Sequence, residues 1–144
     1  MKIIICTNNQ QKFGSLISKY SFSLTSKFNL DDIEIVNIND KYQNLNKYHN
    51  KTYLRNGIEK KFDINDLQSF TISRFFIPEY CNYKGMALVI DPDIFCVRDF
   101  TNYLDTIIAN YKDFQIAAKK GKNLNEWESS VMLMNCSNLR FLSS

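Results

Sequence analysis

Apolar residues along the chain fall into short runs and helix-spaced stripes that predict an α/β fold. Lys2 to Cys6 is a continuous run rich in Ile, a stripe at helical spacing follows over 13–28, and apolar residues resume over 33–38. Short β-branched runs are typical of buried parallel strands, and a helix between two of them makes a β-α-β unit. The start of the chain therefore predicts two parallel strands joined by an amphipathic helix.

The rest of the chain continues this alternation of strands and helices. A buried helix is predicted from 65 to 77, where Pro78 would end it, and an amphipathic helix over 99–111. The Asn-, Lys- and Tyr-rich stretch 39–63 predicts a surface loop or a short helix, and a terminal helix would begin at Ser137. We expect one α/β domain over residues 1–144, with a Rossmann-like, parallel-rich sheet flanked by helices. Its strands would lie near 2–6, 33–38, 86–90, 114–118 and 131–135.

Composition narrows the class of protein without identifying it. The 144 residues are 44% hydrophobic with a net charge of +3, which suits a globular domain and excludes a disordered or collagen-like chain. No basic block indicates nucleic-acid binding, and no run approaches the roughly 20 apolar residues of a transmembrane segment. No signal peptide opens the chain, and the four Cys lack metal-binding spacing. We therefore expect a cytoplasmic protein with buried free thiols.

Two aspartates follow a predicted buried strand and give the clearest chemical signal in the sequence. Asp91-Pro92-Asp93 comes directly after the run 86–90, so both carboxylates are expected at the carboxyl edge of the sheet, where α/β folds bind ligands. Pro92 favours an extended Asp91, and residues two apart in an extended segment point to the same side. A hard divalent cation such as Mg²⁺ or Mn²⁺ would relieve the repulsion between them. The alternative is a polar turn that binds no metal.

Arg74 is unusual because it shares a stripe with Leu67, Phe70 and Thr71 in the helix predicted before this strand. A buried guanidinium is costly without a partner, so an anionic neighbour or ligand is expected. The chain returns from this helix to the strand before Asp91, which makes the carboxylates of the DxD motif its nearest candidate partners.

These motifs together resemble the donor-binding region of nucleotide-diphospho-sugar glycosyltransferases with the GT-A fold, most nearly those of the family-8 type. The resemblance lies in the Arg-bearing helix, the DxD motif after an apolar strand, the opening strand, and a segment from Trp127 to Cys136 similar to the family's "fNaGvllfN" strand. It covers most of the chain except about 39–63. It implies transfer of a sugar from a nucleotide-diphosphate sugar, in the first place a UDP-sugar, to a saccharide, lipid-linked or protein acceptor.

The resemblance also implies roles for individual residues. Asp91 and Asp93 would hold Mn²⁺ or Mg²⁺, and Asp91 would also contact the ribose or sugar of the donor. Arg74 would reach the donor sugar or the diphosphate. Thr7 and Asn8, at the end of the first strand, would lie where the base and ribose dock.

The donor-facing segment departs from the family pattern. Glu128, Ser129 and Ser130 stand where the family has Asn-Ala-Gly, and Asn8 stands where it usually has Asp. Ser130 would contact the nucleotide sugar, and Glu128 and Ser129 are candidate catalytic residues. Family enzymes are longer, with a later His that completes the metal site, so we expect either the N-terminal part of a GT-A domain, incomplete at its C-terminus, or a divergent member.

Two other functions fit part of the same pattern. Haloacid-dehalogenase phosphatases also place a DxD motif after an apolar strand, but near the N-terminus and with Thr or Val where Phe95 stands here. A non-catalytic sugar-nucleotide-binding or assembly domain would keep the fold without turnover. Metal-dependent binding of UDP-sugars, measured together with turnover, separates these functions from a transferase.

Overall fold

Strands and helices alternate through most of the protein in a computed structural model that describes residues 1–55, 57–111, 113–123 and 126–140. The strands are β1 (Lys2–Thr7), β2 (Ile33–Asn37), β3 (Thr52–Arg55), β4 (Ile58–Lys61), β5 (Met86–Ile90), β6 (Ile116–Lys120) and β7 (Trp127–Asn135). The α-helices are α1 (Lys12–Thr25), α2 (Ile38–Lys41), α3 (Ile77–Tyr80) and α4 (Thr101–Asn110). Short 3-10 helices cover Asn9–Gln11, Leu30–Asp32, Gln43–Tyr48, Ser69–Phe76 and Cys136–Asn138.

Five strands form one sheet in the order β2-β1-β5-β7-β6. β1 pairs in parallel with β2 and β5, whereas β7 runs antiparallel to both β5 and β6, so all strands of this sheet except β7 point the same way. The predicted parallel-rich sheet is confirmed, with each predicted strand present to within a few residues. β1 is buried on both faces, which is why its sequence is a continuous apolar run rather than an alternating one.

Alternate residues of β1 contribute to two hydrophobic clusters on opposite faces of the sheet. Ile3 and Ile5 pack in one cluster with Phe22 of α1 and Leu104 of α4. The other face carries a second cluster, which includes Ile4, Cys6, Phe70 and Ile77. The sheet is therefore covered on both sides, as predicted for an α/β fold.

The segment before β5 is a 3-10 helix (Ser69–Phe76) that continues into α3, rather than one buried helix ended by Pro78. Pro78 lies in the first turn of α3, where a missing N–H breaks no hydrogen bond and the fixed φ of proline suits the helix. The prediction that Pro78 ends the helix is therefore wrong. The chain turns after Tyr80, and Asn82 and Gly85 adopt positive φ in that turn.

The stretch 39–63 contains an antiparallel hairpin, β3–β4, besides the short helices. The hairpin was missed because all four residues of β4 are exposed, so no alternation of apolar and polar residues marks the strand. The predicted short helix is present as α2 and the 3-10 helix that follows it.

α1 packs against the sheet through its polar face, the reverse of what an apolar stripe normally does. Its buried residues are Ser15, Ser18 and Phe22, and the hydroxyl of Ser18 donates to the carbonyl of Ile94 at 2.6 Å. The apolar stripe of α1 is exposed: Phe13, Leu16, Ile17, Tyr20 and Leu24. Among the described residues, no helix has the length and apolar character that crossing a membrane requires.

Side chains at the amino ends of β1 and β2 form a small ionic network with α3. Lys2 and Tyr80 both donate hydrogen bonds to the carboxylate of Glu34. Burial alone would raise the pKa of Glu34, but these hydrogen bonds outweigh burial and lower the pKa of that carboxyl. The same contact raises the pKa of Tyr80 to about 12.

Candidate functional site

The two aspartates lie where the sequence predicts them, at the carboxyl edge of the sheet. Asp91 follows the last residue of β5, and its backbone N–H donates to the carbonyl of Ser130 at 3.0 Å, which continues the pairing of β5 with β7. Asp91 is largely buried and Asp93 is exposed. Gly14 of α1 lies against the motif, since a Cβ at that position would be 3.2 Å from the carbonyl oxygen of Pro92.

Arg74 connects the motif to β7. Its Nη2 forms an ion pair with Oδ1 of Asp91, and its Nη1 donates to the hydroxyl of Ser129 at 2.8 Å. The residue is only 9% exposed, and its guanidinium carbon lies 5.7 Å from the centre of the Phe70 ring, within range of a cation–π contact. Nε of Arg74 is buried and has no hydrogen-bond partner among the described residues. The expected carboxylate partner is therefore present, and one donor of the guanidinium is left over.

Burial, rather than the ion pair, controls the titration of Asp91. Burial disfavours the charged form and raises the pKa of Asp91, and the charge of Asp93 raises it further, while Arg74 acts in the opposite direction and compensates only in part. Additional positive charge at this position would therefore stabilise the ionised carboxylate.

A cleft of about 410 Å³ opens at this edge of the sheet. It brings together six of the residues singled out from the sequence, namely Arg74, Asp91, Asp93, Glu128, Ser129 and Ser130. A larger cleft of about 1260 Å³ lies beside it and shares Arg74 and Ser129 with it. The larger cleft is bordered by aromatic residues of the hairpin region and of the 3-10 helix, among them Tyr53, Phe62 and Phe75.

Thr7 and Asn8 are not part of this cleft, because both residues are completely buried. Nδ2 of Asn8 lies 3.1 Å from the carbonyl of Leu67 and from the hydroxyl of Ser69, and its Oδ1 accepts from the N–H of Gln11. These contacts satisfy the side chain from within the protein. In this structure Asn8 holds together the loops that border the cleft, and the docking of base and ribose at this end of β1 stays a prediction.

Glu128 is in the cleft but has a partner. Its carboxylate lies 3.3 Å from Nζ of Lys119 on β6, next to a bulge in the pairing of β6 with β7. Both side chains are substantially exposed, so the pair contributes little to stability. Glu128 and Trp127 are the first residues of β7, which begins four residues before the predicted strand.

Sequence reasoning missed Phe70 and Gln11 as residues that line the cleft. Phe70 is four residues before Arg74, which was a usable signal because residues at that spacing lie on one side of a helical segment. Nothing in the local sequence marks Gln11, since its position depends on how the 3-10 helix Asn9–Gln11 packs.

Comparison with known proteins identifies the fold. No profile of a known protein family matches the sequence, and no curated protein matches it. The galactosyltransferase LgtC, solved in complex with donor and acceptor sugar analogues, is similar with a TM-score of 0.64 at 14% identity, over 98% of this chain and 60% of LgtC. An active-site mutant of LgtC is similar with a TM-score of 0.62 at 14% identity, over 98% of this chain and 59% of the mutant. Mouse xyloside xylosyltransferase 1, in its apo form, is similar with a TM-score of 0.55 at 11% identity, over 99% of this chain and 69% of the xylosyltransferase.

At these identities the likeness concerns the fold alone. The chain has the Rossmann-like GT-A fold found in glycosyltransferases, as the sequence motifs predicted. It spans about 60% of the length of LgtC.

The donor set of the cleft fits a hard divalent cation that keeps part of its hydration. The described residues contain no group of three or more His, Cys, Asp or Glu side chains placed to hold a metal, so the protein would offer Asp91 and Asp93. Mg²⁺ is commonly bound by one or two carboxylates, several waters and the phosphates of a substrate. The raised pKa of Asp91 agrees with this, because a bound cation would offset the cost of its buried charge.

Proposed function

We propose that the protein binds a nucleotide-diphosphate sugar, in the first place a UDP-sugar, in the smaller cleft and takes part in transfer of the sugar to an acceptor. The observation that supports this most strongly is Arg74. A nearly buried guanidinium paired with one carboxylate, with one donor lacking a described partner, is suited to an anionic ligand. Asp91, the partner of Arg74, follows β5 at the carboxyl edge of the sheet, where α/β folds bind ligands.

In this proposal Asp91 and Asp93 bind a divalent cation together with the diphosphate. A bound Mg²⁺ or Mn²⁺ neutralises charge that develops on a diphosphate leaving group. Arg74 orients the diphosphate and adds positive charge from the side of the 3-10 helix, while the ion pair with Asp91 fixes the position of its guanidinium. Ser129 and Ser130 contact the donor from β7, and Glu128 is the candidate group for proton transfer with the acceptor.

The acceptor approaches through the larger cleft in this proposal, because that cleft meets the donor cleft at Arg74 and Ser129. The chemical class of the acceptor is left open between a saccharide, a lipid-linked sugar and a protein.

Calorimetric titration with UDP and UDP-sugars, with and without Mn²⁺, tests the proposal. We expect binding that requires the cation and that is lost in Asp93→Asn, with Asp105→Asn as a matched control because Asp105 is an exposed aspartate on α4. UDP release in the presence of candidate acceptors then distinguishes a transferase from a non-catalytic binding domain. A nucleotide affinity that is the same with and without Mn²⁺, and the same in Asp93→Asn as in the wild type, would refute the proposed site.

A further inference from the structure

The exposed stripe of α1 is an apolar surface without a partner among the described residues. Phe13 is 75% and Leu24 65% exposed, and Leu16, Ile17 and Tyr20 between them are exposed as well. These residues lie on one face of the helix, opposite the face that packs on the sheet. Contiguous apolar patches of more than a few hundred Å² are rare on monomeric proteins and mark interaction surfaces.

The segment after the DxD motif widens this surface. The N–H of Cys96 donates to the hydroxyl of Ser21 at 2.9 Å, and the hydroxyl of Thr25 lies 3.2 Å from the carbonyl of Cys96, so the segment runs along one flank of α1. Ser21 lies beside the stripe because it is three and four residues from two of its members. Phe95 and Val97, on either side of Cys96, are exposed, and Val97 is 86% exposed.

The charged residues within α1 itself are all basic. Residues 1–30 contain four lysines and no acidic residue. Lys12 and Lys19 lie within α1 on the flank opposite the 94–97 segment, and Arg98 follows that segment. The nearest acidic residues along the chain are Asp31 and Asp32, in the 3-10 helix that follows α1, and Asp93 and Asp99, on either side of the 94–97 segment. The carboxylate of Asp99 already accepts from Thr101.

We propose that α1 and residues 94–97 form a docking surface for an anionic lipid bilayer. A helix that presents bulky apolar side chains with lysines beside them binds the interface of a bilayer through apolar burial and attraction to anionic headgroups. A second copy of the chain is a poorer occupant, because a two-fold interface through α1 brings Lys12 and Lys19 of both copies together, and α1 has no acidic residue to pair with them.

This surface begins beside the candidate site, since Gly14 in the first turn of α1 lies against Pro92. Docking through α1 therefore holds the DxD edge of the sheet close to the bilayer surface. The inference goes beyond the proposed function and does not depend on it, because it uses neither the cleft nor a bound nucleotide.

Flotation of the purified protein with vesicles tests the inference. We expect binding to vesicles of phosphatidylcholine with phosphatidylglycerol, and much weaker binding to phosphatidylcholine alone. The double variant Phe13→Ser/Leu24→Ser should lower the partition coefficient at least about tenfold, because two exposed apolar side chains no longer enter the bilayer. The matched control is Leu54→Ser/Ile58→Ser on the hairpin, where the two residues are 71% and 63% exposed.

The lysines give a second and independent test. Lys12→Gln/Lys19→Gln should weaken binding to the anionic vesicles roughly fivefold for each charge removed and should reduce its salt dependence. Thermal unfolding of every variant shows whether it is folded. If Phe13→Ser/Leu24→Ser does not fold, the vesicle binding of Lys12→Gln/Lys19→Gln decides whether α1 docks on the bilayer.

Three results would overturn the inference. The wild-type protein could fail to bind anionic vesicles, or the stripe and hairpin variants could lose binding equally. Sedimentation velocity could also show a dimer that Phe13→Ser/Leu24→Ser converts to monomers while vesicle binding is absent, which would assign the face to contact between copies.

Discussion

Replacing Arg74 with Lys separates a ligand-binding role of this side chain from a purely structural one. The guanidinium holds Asp91 through Nη2 and Ser129 through Nη1, and Nε has no described partner. A lysine keeps the positive charge that compensates Asp91 but has no planar fork with which to bind several oxygens at once. The substitution therefore changes the geometry of the donors while keeping the buried charge.

The two roles predict effects of different size on two measurements. For stability, the main loss is the hydrogen bond to the exposed, neutral Ser129, which is worth about 1 kcal/mol. For a bound diphosphate, the loss is a charge-assisted hydrogen bond, worth about 1–3 kcal/mol, or about 5- to 150-fold in Kd. We therefore expect Arg74→Lys to weaken UDP-sugar binding more than it lowers the free energy of unfolding.

Both quantities are measured on the same preparation, by calorimetric titration with a UDP-sugar and Mn²⁺ and by urea unfolding. Arg98→Lys is the matched control, because Arg98 is exposed and lies outside the cleft. A loss of about 3 kcal/mol or more in stability with unchanged nucleotide affinity would refute the reasoning, because that is the signature of a broken buried ion pair. Arg74 would then be a structural residue and would no longer be assigned to the ligand-binding site.

Four further substitutions test other parts of the structure. Asp93→Asn should abolish cation-dependent nucleotide binding at unchanged stability. Asp91→Asn should also cost roughly 3–5 kcal/mol in urea unfolding, because it leaves the buried Arg74 without its counter-charge; equal stabilities of the two variants would contradict this. Asn8→Ala should lower the free energy of unfolding by about 2–4 kcal/mol, since buried groups lose their hydrogen bonds, and an unchanged urea midpoint would argue against that role. Glu34 has a lowered pKa, so its stabilisation is present above its unfolded-state pKa and is lost as the pH falls through the folded-state value. Glu34→Gln should therefore flatten the loss of stability below about pH 4, and parallel acid profiles of variant and wild type would contradict this.

The elements that sequence reasoning predicts well are those whose local pattern and tertiary environment agree. β1 and β5 are buried on both faces, so their continuous apolar runs specify strands directly. Asp91 and Asp93 come directly after β5 in the sequence, so once β5 is recognised as a buried strand their position at its carboxyl end follows. Arg74 was recognisable because a charge on an apolar stripe requires a partner.

The elements that it predicts poorly are those whose environment is set by distant parts of the chain. α1 turns its serines inward because their hydroxyls bond to its own turns and to the backbone of residues 94–96, so hydrophobic periodicity alone indicates the wrong face. Asn8 is buried by a loop some sixty positions further along the chain, and no local signal distinguishes this from an exposed strand end. The hairpin β3–β4 lacks an apolar face, and periodicity therefore has nothing to detect.

The contacts of Arg74 also indicate how its guanidinium can respond to an anion. Nε is buried, so a ligand reaches it only if the guanidinium turns, and one of the two present contacts must then lengthen. The hydrogen bond to Ser129 has a neutral acceptor on an exposed residue, where water can replace it, whereas the bond to the Asp91 carboxylate joins two opposite charges and is worth about 1.5–3 kcal/mol. The contact with Ser129 is therefore the weaker of the two. A hydrogen bond to the buried Nε recovers about 1–3 kcal/mol, so the guanidinium loses least free energy overall when the weaker of its two present contacts is the one that breaks. We therefore expect the guanidinium to keep its contact with Asp91 and to break its hydrogen bond with Ser129 when an anion binds. Because Ser129 belongs to β7, ligand binding would then change the contacts of that strand.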